Sequence, residues 1–229
     1  MWPAIGAMIT LAALLIAIRL PPFGAAPVDP VPEVAPATAT VGEARQPPAS
    51  DPARSEAQAP PRVRAARARI GRTRLYDPAY VALDYPGGDV AEDRGVCSDV
   101  VVRALRAEGL DLQQAVHEDM RAHFDAYPQR WGLRRPDRSI DHRRVPNLER
   151  WFERQGWSLP LRARAGDYRP GDLVSWRLPG SGLPHIGIVS DRRGSDGVPL
   201  IIHNVGHGTR EENVLFAYTL NGHYRPPPH

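Results

Sequence analysis

The chain has 229 residues, of which 42% are hydrophobic and 24% are charged, with a formal net charge of +3. This composition is ordinary for a globular protein with one core. The small net charge argues against a nucleic-acid-binding protein, because basic residues concentrate in only one short segment. The single cysteine, Cys97, excludes an intramolecular disulfide. We expect a monomer that needs no cofactor.

The N-terminal segment predicts export. Met1 to Ile18 carries no charged side chain, and Arg19 ends the run. A run of this length lies between a signal-peptide core and a membrane helix, although no Lys or Arg precedes it. We predict a signal peptide or membrane anchor at residues 1–20, with the protein in the periplasm or anchored facing it. The alternative is a buried helix. The Pro- and Ala-rich residues 21–61 predict a disordered linker.

A basic segment begins the predicted folded domain, residues 62–229. Six of the thirteen residues from Arg62 to Arg74 are arginine, and alanine lies between several of them, so we predict a first helix here. One interpretation is attraction to an anionic envelope surface such as lipid headgroups or wall polymers. The other interpretation is a solvated helix face.

The remaining chain divides into a helical half and a strand half. Periodicity with Gly and Pro punctuation predicts three more helices, from Cys97 to Gly109, from about Asp111 to Ala126, and from Val145 to Gln155. Short apolar runs then predict four strands, which begin at Asp172, His185, Leu200 and Val214. Helices followed by an antiparallel sheet define an α+β fold.

Cys97 is the candidate nucleophile. At a helix start, backbone N–H groups and the helix dipole favour a thiolate and can bind an oxyanion. The alternative is a small buried residue. His185 and His203 lie in successive predicted strands, so antiparallel pairing can bring them together as base and orienting residue. His203 is preferred over Asn204 as the third residue, because Asn204 points to the opposite face if the strand continues.

Four short motifs, in the same order, resemble those of the NlpC-type, papain-like cell-wall peptidases. They are Tyr85-Pro86-Gly87-Gly88 with Gly95-Val96-Cys97-Ser98, Pro170-Gly171-Asp172-Leu173-Val174, Pro184-His185-Ile186-Gly187-Ile188-Val189, and Ile202-His203. The resemblance implies helices packed on a C-terminal antiparallel β-sheet, a Cys-His pair, and an oxyanion role for Tyr85. Two residues depart from the pattern: Val96 replaces the usual aspartate, and Pro86 replaces a large residue.

A narrower resemblance covers most of the chain from about Arg72 to Tyr224. The chain is similar there to a bacterial family known as domain of unknown function 1287. The resembling stretches are Tyr76-Asp77-Pro78-Ala79-Tyr80, Gly95-Val96-Cys97-Ser98-Asp99-Val100-Val101, Asp141-His142-Arg143-Arg144-Val145-Pro146-Asn147 and Gly182-Leu183-Pro184-His185-Ile186-Gly187-Ile188-Val189. This resemblance implies a papain-like fold and a Cys-His pair, and it implies no substrate.

An insertion between the two halves combines aromatic and basic residues. It contains Trp131 and, further along, Arg143 and Arg144. An arginine fork binds a carboxylate through two parallel hydrogen bonds, and the peptide stems of bacterial cell wall carry free carboxylates. One hypothesis is that these residues position such a substrate. The alternative is an internal ion-pair network around Asp141.

These residues support four hypotheses about function. The first is a cysteine hydrolase that cleaves an amide in cell-wall peptide through Cys97, His185 and His203. The second is a thioester or lipid acyl hydrolase, or an acyltransferase, with the same residues. The third is a zinc site in which His207 joins those three side chains, although the glycines around His207 indicate a loop. The fourth is a binding module without catalysis.

Overall fold

The computed structural model describes residues 58–228. The predicted signal peptide or anchor at residues 1–20 lies outside this range, as does most of the predicted linker at residues 21–61. In residues 58–228, no helix combines the length and the apolar character that a membrane crossing needs. The boundaries of these predicted segments therefore stay predictions.

The α-helices of the described chain lie where the sequence predicts them. They are α1 (Pro61–Arg67), α2 (Cys97–Arg106), α3 (Leu112–Ala122) and α4 (Val145–Arg154). Proline in the first turn helps to start α1 and α4. The side chain of Asp111 caps α3 by accepting a hydrogen bond from the Gln113 N–H. The helix predicted within Arg62–Arg74 is short, because α1 ends at Arg67.

The basic segment makes internal contacts in its first half. Arg62 and Arg67 are only 4% and 8% exposed. Arg62 Nε lies 2.8 Å from a Glu108 carboxylate oxygen, and a terminal nitrogen of Arg67 lies 2.9 Å from Glu211. These two arginines connect α1 to the end of α2 and to the sheet. Their burial gives these two arginines a structural role. Arg64, Arg72 and Arg74 of the same segment are exposed, and the contact with an envelope surface stays a prediction.

The strands form one large antiparallel sheet and one small parallel pair. Their bounds are β1 (Leu75–Tyr76), β2 (Arg94–Gly95), β3 (Leu173–Arg177), β4 (Pro184–Arg193), β5 (Pro199–Asn204), β6 (Thr209–Glu212) and β7 (Thr219–Tyr224). The large sheet has the order β6-β5-β4-β3-β7, and every neighbouring pair in it is antiparallel. In the small pair, β1 runs beside β2 and Tyr76 faces Gly95 in the register.

The strand predicted from Val214 is wrong. Residues 214–218 form a turn between β6 and β7. Leu215 in this turn is fully buried, and its backbone carbonyl accepts a hydrogen bond from Trp176 Nε1 at 2.9 Å. The apolar run therefore reflects burial of a turn against the sheet, which periodicity does not distinguish from a short strand.

Alternation along the strands separates two apolar clusters. The cluster between the sheet and the helices includes Leu173, Ile186, Ile188 and Ile202 together with residues of all four helices. The cluster on the opposite face of the sheet contains Tyr168, Val174, Trp176, Val189, Ile201 and Leu215. Because successive strand residues point to opposite faces, both faces of the sheet are covered. The predicted α+β fold, with N-terminal helices packed on a C-terminal antiparallel sheet, is confirmed.

Candidate active site

Cys97 is the first residue of α2, and several contacts hold the turn before it. The carboxylate of Asp99 accepts a hydrogen bond from the Val96 N–H at 2.6 Å, which caps the helix. Arg143 holds that carboxylate with two nitrogens, each 3.0 Å from an oxygen. The side-chain N–H of Asn204 donates to the Gly95 carbonyl at 3.0 Å. The position of the sulfur is thus determined by residues from α2, β5 and the segment before α4.

The two predicted histidines meet at the ends of neighbouring strands. His185 near the start of β4 and His203 in β5 are both buried, and His185 Nε2 lies 2.8 Å from His203 Nδ1. His203 Nε2 lies in turn 3.0 Å from Glu212 Oε2, at ion-pair distance but without hydrogen-bond alignment. This contact leaves Nδ1 as the ring nitrogen of His185 that His203 does not engage. The His185 ring packs against Trp176 and Tyr218, on the face of the sheet away from the helices. Cys97 packs with Ile186 on the helix face, because successive strand residues point to opposite faces.

The chain of contacts also specifies the neutral tautomers. If Nδ1 of His185 accepts a proton, its Nε2 must carry hydrogen and donate to His203 Nδ1. His203 must then carry its hydrogen on Nε2, which faces the carboxylate of Glu212. Glu212 was not a candidate from sequence. Glu212 lies two residues after Arg210, which faces His203 in the pairing of β5 with β6. The contact could be recognised only in the structure, because the sequence does not show this pairing.

Burial keeps both Cys97 and His185 uncharged at neutral pH in the absence of substrate. Cys97 is 4% exposed, and burial raises its pKa to about 12, although the N–H of Ile186 and the helix N–H groups oppose this shift. Burial, and then the neighbouring His203, lower the pKa of His185 to about 3. The expected accessible thiolate is therefore not found, because desolvation outweighs the helix field. No hydrogen bond joins the Cys97 sulfur to His185 in residues 58–228.

Cys97 lies at the base of a cleft of about 360 Å³. Its apolar wall includes Ile140, Val145 and Leu183, and its cationic residues include Arg144. The cleft extends between the loop that follows β1 and the insertion before α4. A thiol at the end of a helix and in such a cleft is accessible to a small acyl group once a substrate enters.

Tyr76, not Tyr85, is the tyrosine at this cleft. Tyr76 lines the cleft beside Cys97 because β1 pairs with β2 two residues before the nucleophile. Burial, and then the charge of a Cys97 thiolate, raise the pKa of Tyr76 to about 12, so its hydroxyl stays a hydrogen-bond donor. Tyr85 instead packs edge-on against His117 at 5.1 Å and is not among the residues that line the cleft. The oxyanion role predicted for Tyr85 thus has no support in the geometry, because the loop before β2 carries it to α3.

The two arginines of the insertion occupy different environments. Arg143 is 6% exposed and donates to Asp99 and to the carbonyls of Ala79 and Asp77, at 3.0 and 3.2 Å. Four of its five N–H donors are used inside the protein, which favours the network alternative, with Asp99 as partner, although Arg143 also lines the cleft. Arg144 pairs with Asp141 at 3.2 Å and lies 4.2 Å above the ring of Trp131, in the wall of the cleft.

The zinc hypothesis finds no ligand set in the described chain. In residues 58–228, no group of three or more His, Cys, Asp or Glu side chains has an arrangement that could hold a metal ion. His207 lies in the turn between β5 and β6. His203 already contacts His185 and Glu212 through its two ring nitrogens.

The chain was compared with known proteins. It matches the model of the DUF1287 family, described as a domain of unknown function, over residues 63–226. It is 60% identical over 160 residues to the uncharacterized protein YijF of Escherichia coli (strain K12), a match that covers 70% of this chain and 78% of that protein. It is also similar to the structure of NlpC1 from Trichomonas vaginalis, with a TM-score of 0.37 and 16% identity over 72% of this chain and 43% of that one.

Proposed function

The chain belongs to the DUF1287 family, as its motifs predicted, and we propose that it is an exported cysteine hydrolase that cleaves an amide bond in cell-wall peptides. One observation carries the proposal. A lone cysteine begins a helix at the base of a cleft, beside a strand whose buried histidine contacts a second histidine at 2.8 Å. Nucleophile, base and orienting residue are the parts that acyl transfer needs.

The uncharged resting pair is compatible with catalysis by proton transfer during attack. Nδ1 of His185 takes the proton of the Cys97 thiol as the sulfur attacks the substrate carbonyl carbon, and the carbonyl oxygen becomes an oxyanion. The imidazolium then donates that proton to the leaving amine as the C–N bond breaks. Water, activated by the same imidazole, releases the acid from the acyl-sulfur intermediate and restores the thiol. The step requires the imidazole of His185 to approach the Cys97 sulfur when substrate binds, because the two side chains make no hydrogen bond in residues 58–228.

Two groups can stabilise the oxyanion. The backbone N–H groups of the first turn of α2 have no partner inside the helix and point out of its N-terminus. The hydroxyl of Tyr76 remains protonated at neutral pH and lies at the same cleft. We assign Tyr76 the donor role that the sequence resemblance gave to Tyr85.

The cleft suits a peptide with a carboxylate. Its apolar side accepts short aliphatic side chains, and Arg144 presents a cation stacked on Trp131. A guanidinium held by an aromatic ring is oriented for bidentate binding of a carboxylate. Cell-wall stem peptides combine small aliphatic residues with free carboxylates. The predicted export would bring the enzyme to that polymer, and a periplasmic location is part of the proposal.

The test is cleavage by the full-length chain. The wild type, Cys97→Ala and His185→Ala are incubated with purified peptidoglycan and soluble muropeptides, and mass spectrometry identifies the products. His123→Ala is the matched control, because this histidine has a side chain that is 53% exposed. New fragments from the wild type and His123→Ala alone support the proposal, and their masses identify the bond. Fragments that persist in Cys97→Ala would exclude Cys97 as nucleophile.

The apolar wall of the cleft favours acyl-thioester or lipid acyl hydrolysis, or acyl transfer, as the second candidate. Ile140, Val145 and Leu183 form a surface that also suits an alkyl chain. Short and long acyl-coenzyme A thioesters distinguish the two functions. Turnover that rises with chain length, together with intact muropeptides, would favour the second candidate.

A further inference from the structure

Arginines without an acidic partner concentrate in one part of the surface. Most arginines of the domain form ion pairs, as the arginines of α1 and α2 illustrate. Five exposed ones in residues 121–138 make no ion pair with any acidic side chain that the structure describes: Arg121, Arg130, Arg134, Arg135 and Arg138. An unpaired guanidinium keeps its donors available for an external anion. The concentration of such groups between α3 and α4 marks this segment as different from the rest of the surface.

Three of these arginines line one groove of about 880 Å³. Arg121 on α3 and Arg135 and Arg138 on the insertion surround it, and Asp137 is the acidic residue in its wall. The Asp137 carboxylate already accepts the Ser139 N–H at 2.9 Å. Three positively charged groups and one negatively charged group therefore line the groove. His117 adds no charge, because burial lowers its pKa below the ordinary value.

The wall of the groove also contains a buried nitrogen without a partner. Nδ1 of His117 is inaccessible to solvent and makes no hydrogen bond in the described structure. The Tyr85 ring packs against this histidine, and Arg138 lies 5.8 Å from the centre of the same ring. Tyr85, His117 and Arg138 therefore form one packed unit that holds an arginine at the groove.

The groove lies beside the cleft that contains Cys97. The loop after β1 contributes Tyr76 and Pro78 to the cleft and then Tyr80 to the groove. The insertion contributes residues 130 and 131 to the cleft and residues 133 and 135–139 to the groove. Because the same two pieces of chain line both depressions, the groove and the cleft are neighbours, and no residue in the described chain lines both.

We propose that this arginine groove is a subsite that binds the carboxylates of an acidic peptide whose scissile amide lies at Cys97. The inference rests on the proposed function and adds the substrate class: a peptide with at least one carboxylate beyond the one that Arg144 binds. Guanidinium groups match planar carboxylates through paired hydrogen bonds. An acidic peptide is favoured over a phosphate polymer because the groove lies beside a cleft suited to acyl chemistry and to aliphatic side chains.

Binding is measured separately from cleavage so that the two proposals can fail independently. Full-length Cys97→Ala is titrated calorimetrically with a disaccharide-tetrapeptide muropeptide and with the same muropeptide after methyl esterification of its carboxyls. The test variant carries Arg135→Gln and Arg138→Gln in that background. The control carries Arg162→Gln and Arg193→Gln, which remove the same two charges from exposed arginines outside the groove. Inorganic phosphate is the third probe.

The double variant should weaken muropeptide binding by roughly tenfold or more, because two charge-assisted contacts are lost. Esterification should weaken binding to a similar extent, and the control variant should leave it unchanged. Equal affinities for the free and esterified peptides, or equal losses in test and control variants, would overturn the subsite. So would tight phosphate binding without muropeptide binding. Carboxylate-dependent binding without cleavage by the wild type would keep the subsite and refute the hydrolase proposal.

Discussion

The environment of Arg143 leads to a prediction that distinguishes a structural role of this arginine from a role in substrate binding. Replacing Arg143 by methionine keeps much of the side-chain volume and removes the guanidinium. Asp99, only 3% exposed, then loses both of its 3.0 Å contacts, and the carbonyls of Ala79 and Asp77 lose their donor. Removal of one partner of a buried ion pair costs about 3–5 kcal/mol. Arg143→Met should lower the free energy of unfolding by about that amount.

Urea unfolding, followed by tryptophan fluorescence, measures this loss. Arg72→Met is the matched control, because its pair with Glu92 has side chains that are 65% and 62% exposed. It should cost about 1 kcal/mol or less, as exposed ion pairs do. The double variant Asp99→Leu with Arg143→Met should recover part of the loss, since no unpaired charge remains buried. An unchanged unfolding midpoint in Arg143→Met, with peptide affinity lost, would refute the structural assignment and restore Arg143 as a substrate ligand.

Four further predictions concern the site and its pH dependence. Glu212→Leu should lower kcat by about tenfold while Glu212→Gln retains most activity, because the amide oxygen can still face the Nε2–H of His203 and leucine cannot; equal losses would exclude tautomer control. Tyr76→Phe should lower kcat by about tenfold and Tyr85→Phe should not, and the reverse result would restore the sequence prediction. Iodoacetamide should alkylate Cys97 far more slowly at pH 7 than it alkylates free cysteine, because burial raises its pKa to about 12; fast alkylation would contradict the buried thiol. Burial lowers the pKa of His142 from 6.5 to about 4, so the unfolded state binds the extra proton and stability falls below about pH 6.5. The loss should reach about 2 kcal/mol at pH 5 and shrink in His142→Gln, as measured by urea unfolding at both pH values.

Local signals in the sequence were sufficient to predict the helices and the contact between His185 and His203. The helix from Cys97 was predicted from apolar periodicity and a glycine stop, and its first residue agrees with the structure. The prediction that neighbouring strands bring His185 and His203 together agrees with the 2.8 Å contact between them. Asn204, which shares the strand, instead holds the Gly95 carbonyl. Alternation of side chains along a strand explains both positions.

The sequence by itself determined the order of helices and strands, the family, and which cysteine and histidines lie at element ends, because these depend on periodicity, turn residues and short motifs. Only the tertiary structure decided which tyrosine reaches Cys97, which arginine is enclosed, and that Glu212 contacts His203. Those contacts join residues far apart in the chain, and their geometry depends on strand register and on how the loops pack. The protonation state of Cys97 also depends on the tertiary structure, because desolvation depends on every atom packed around the sulfur. The helix field that favours a thiolate, by contrast, can be recognised from the local sequence alone.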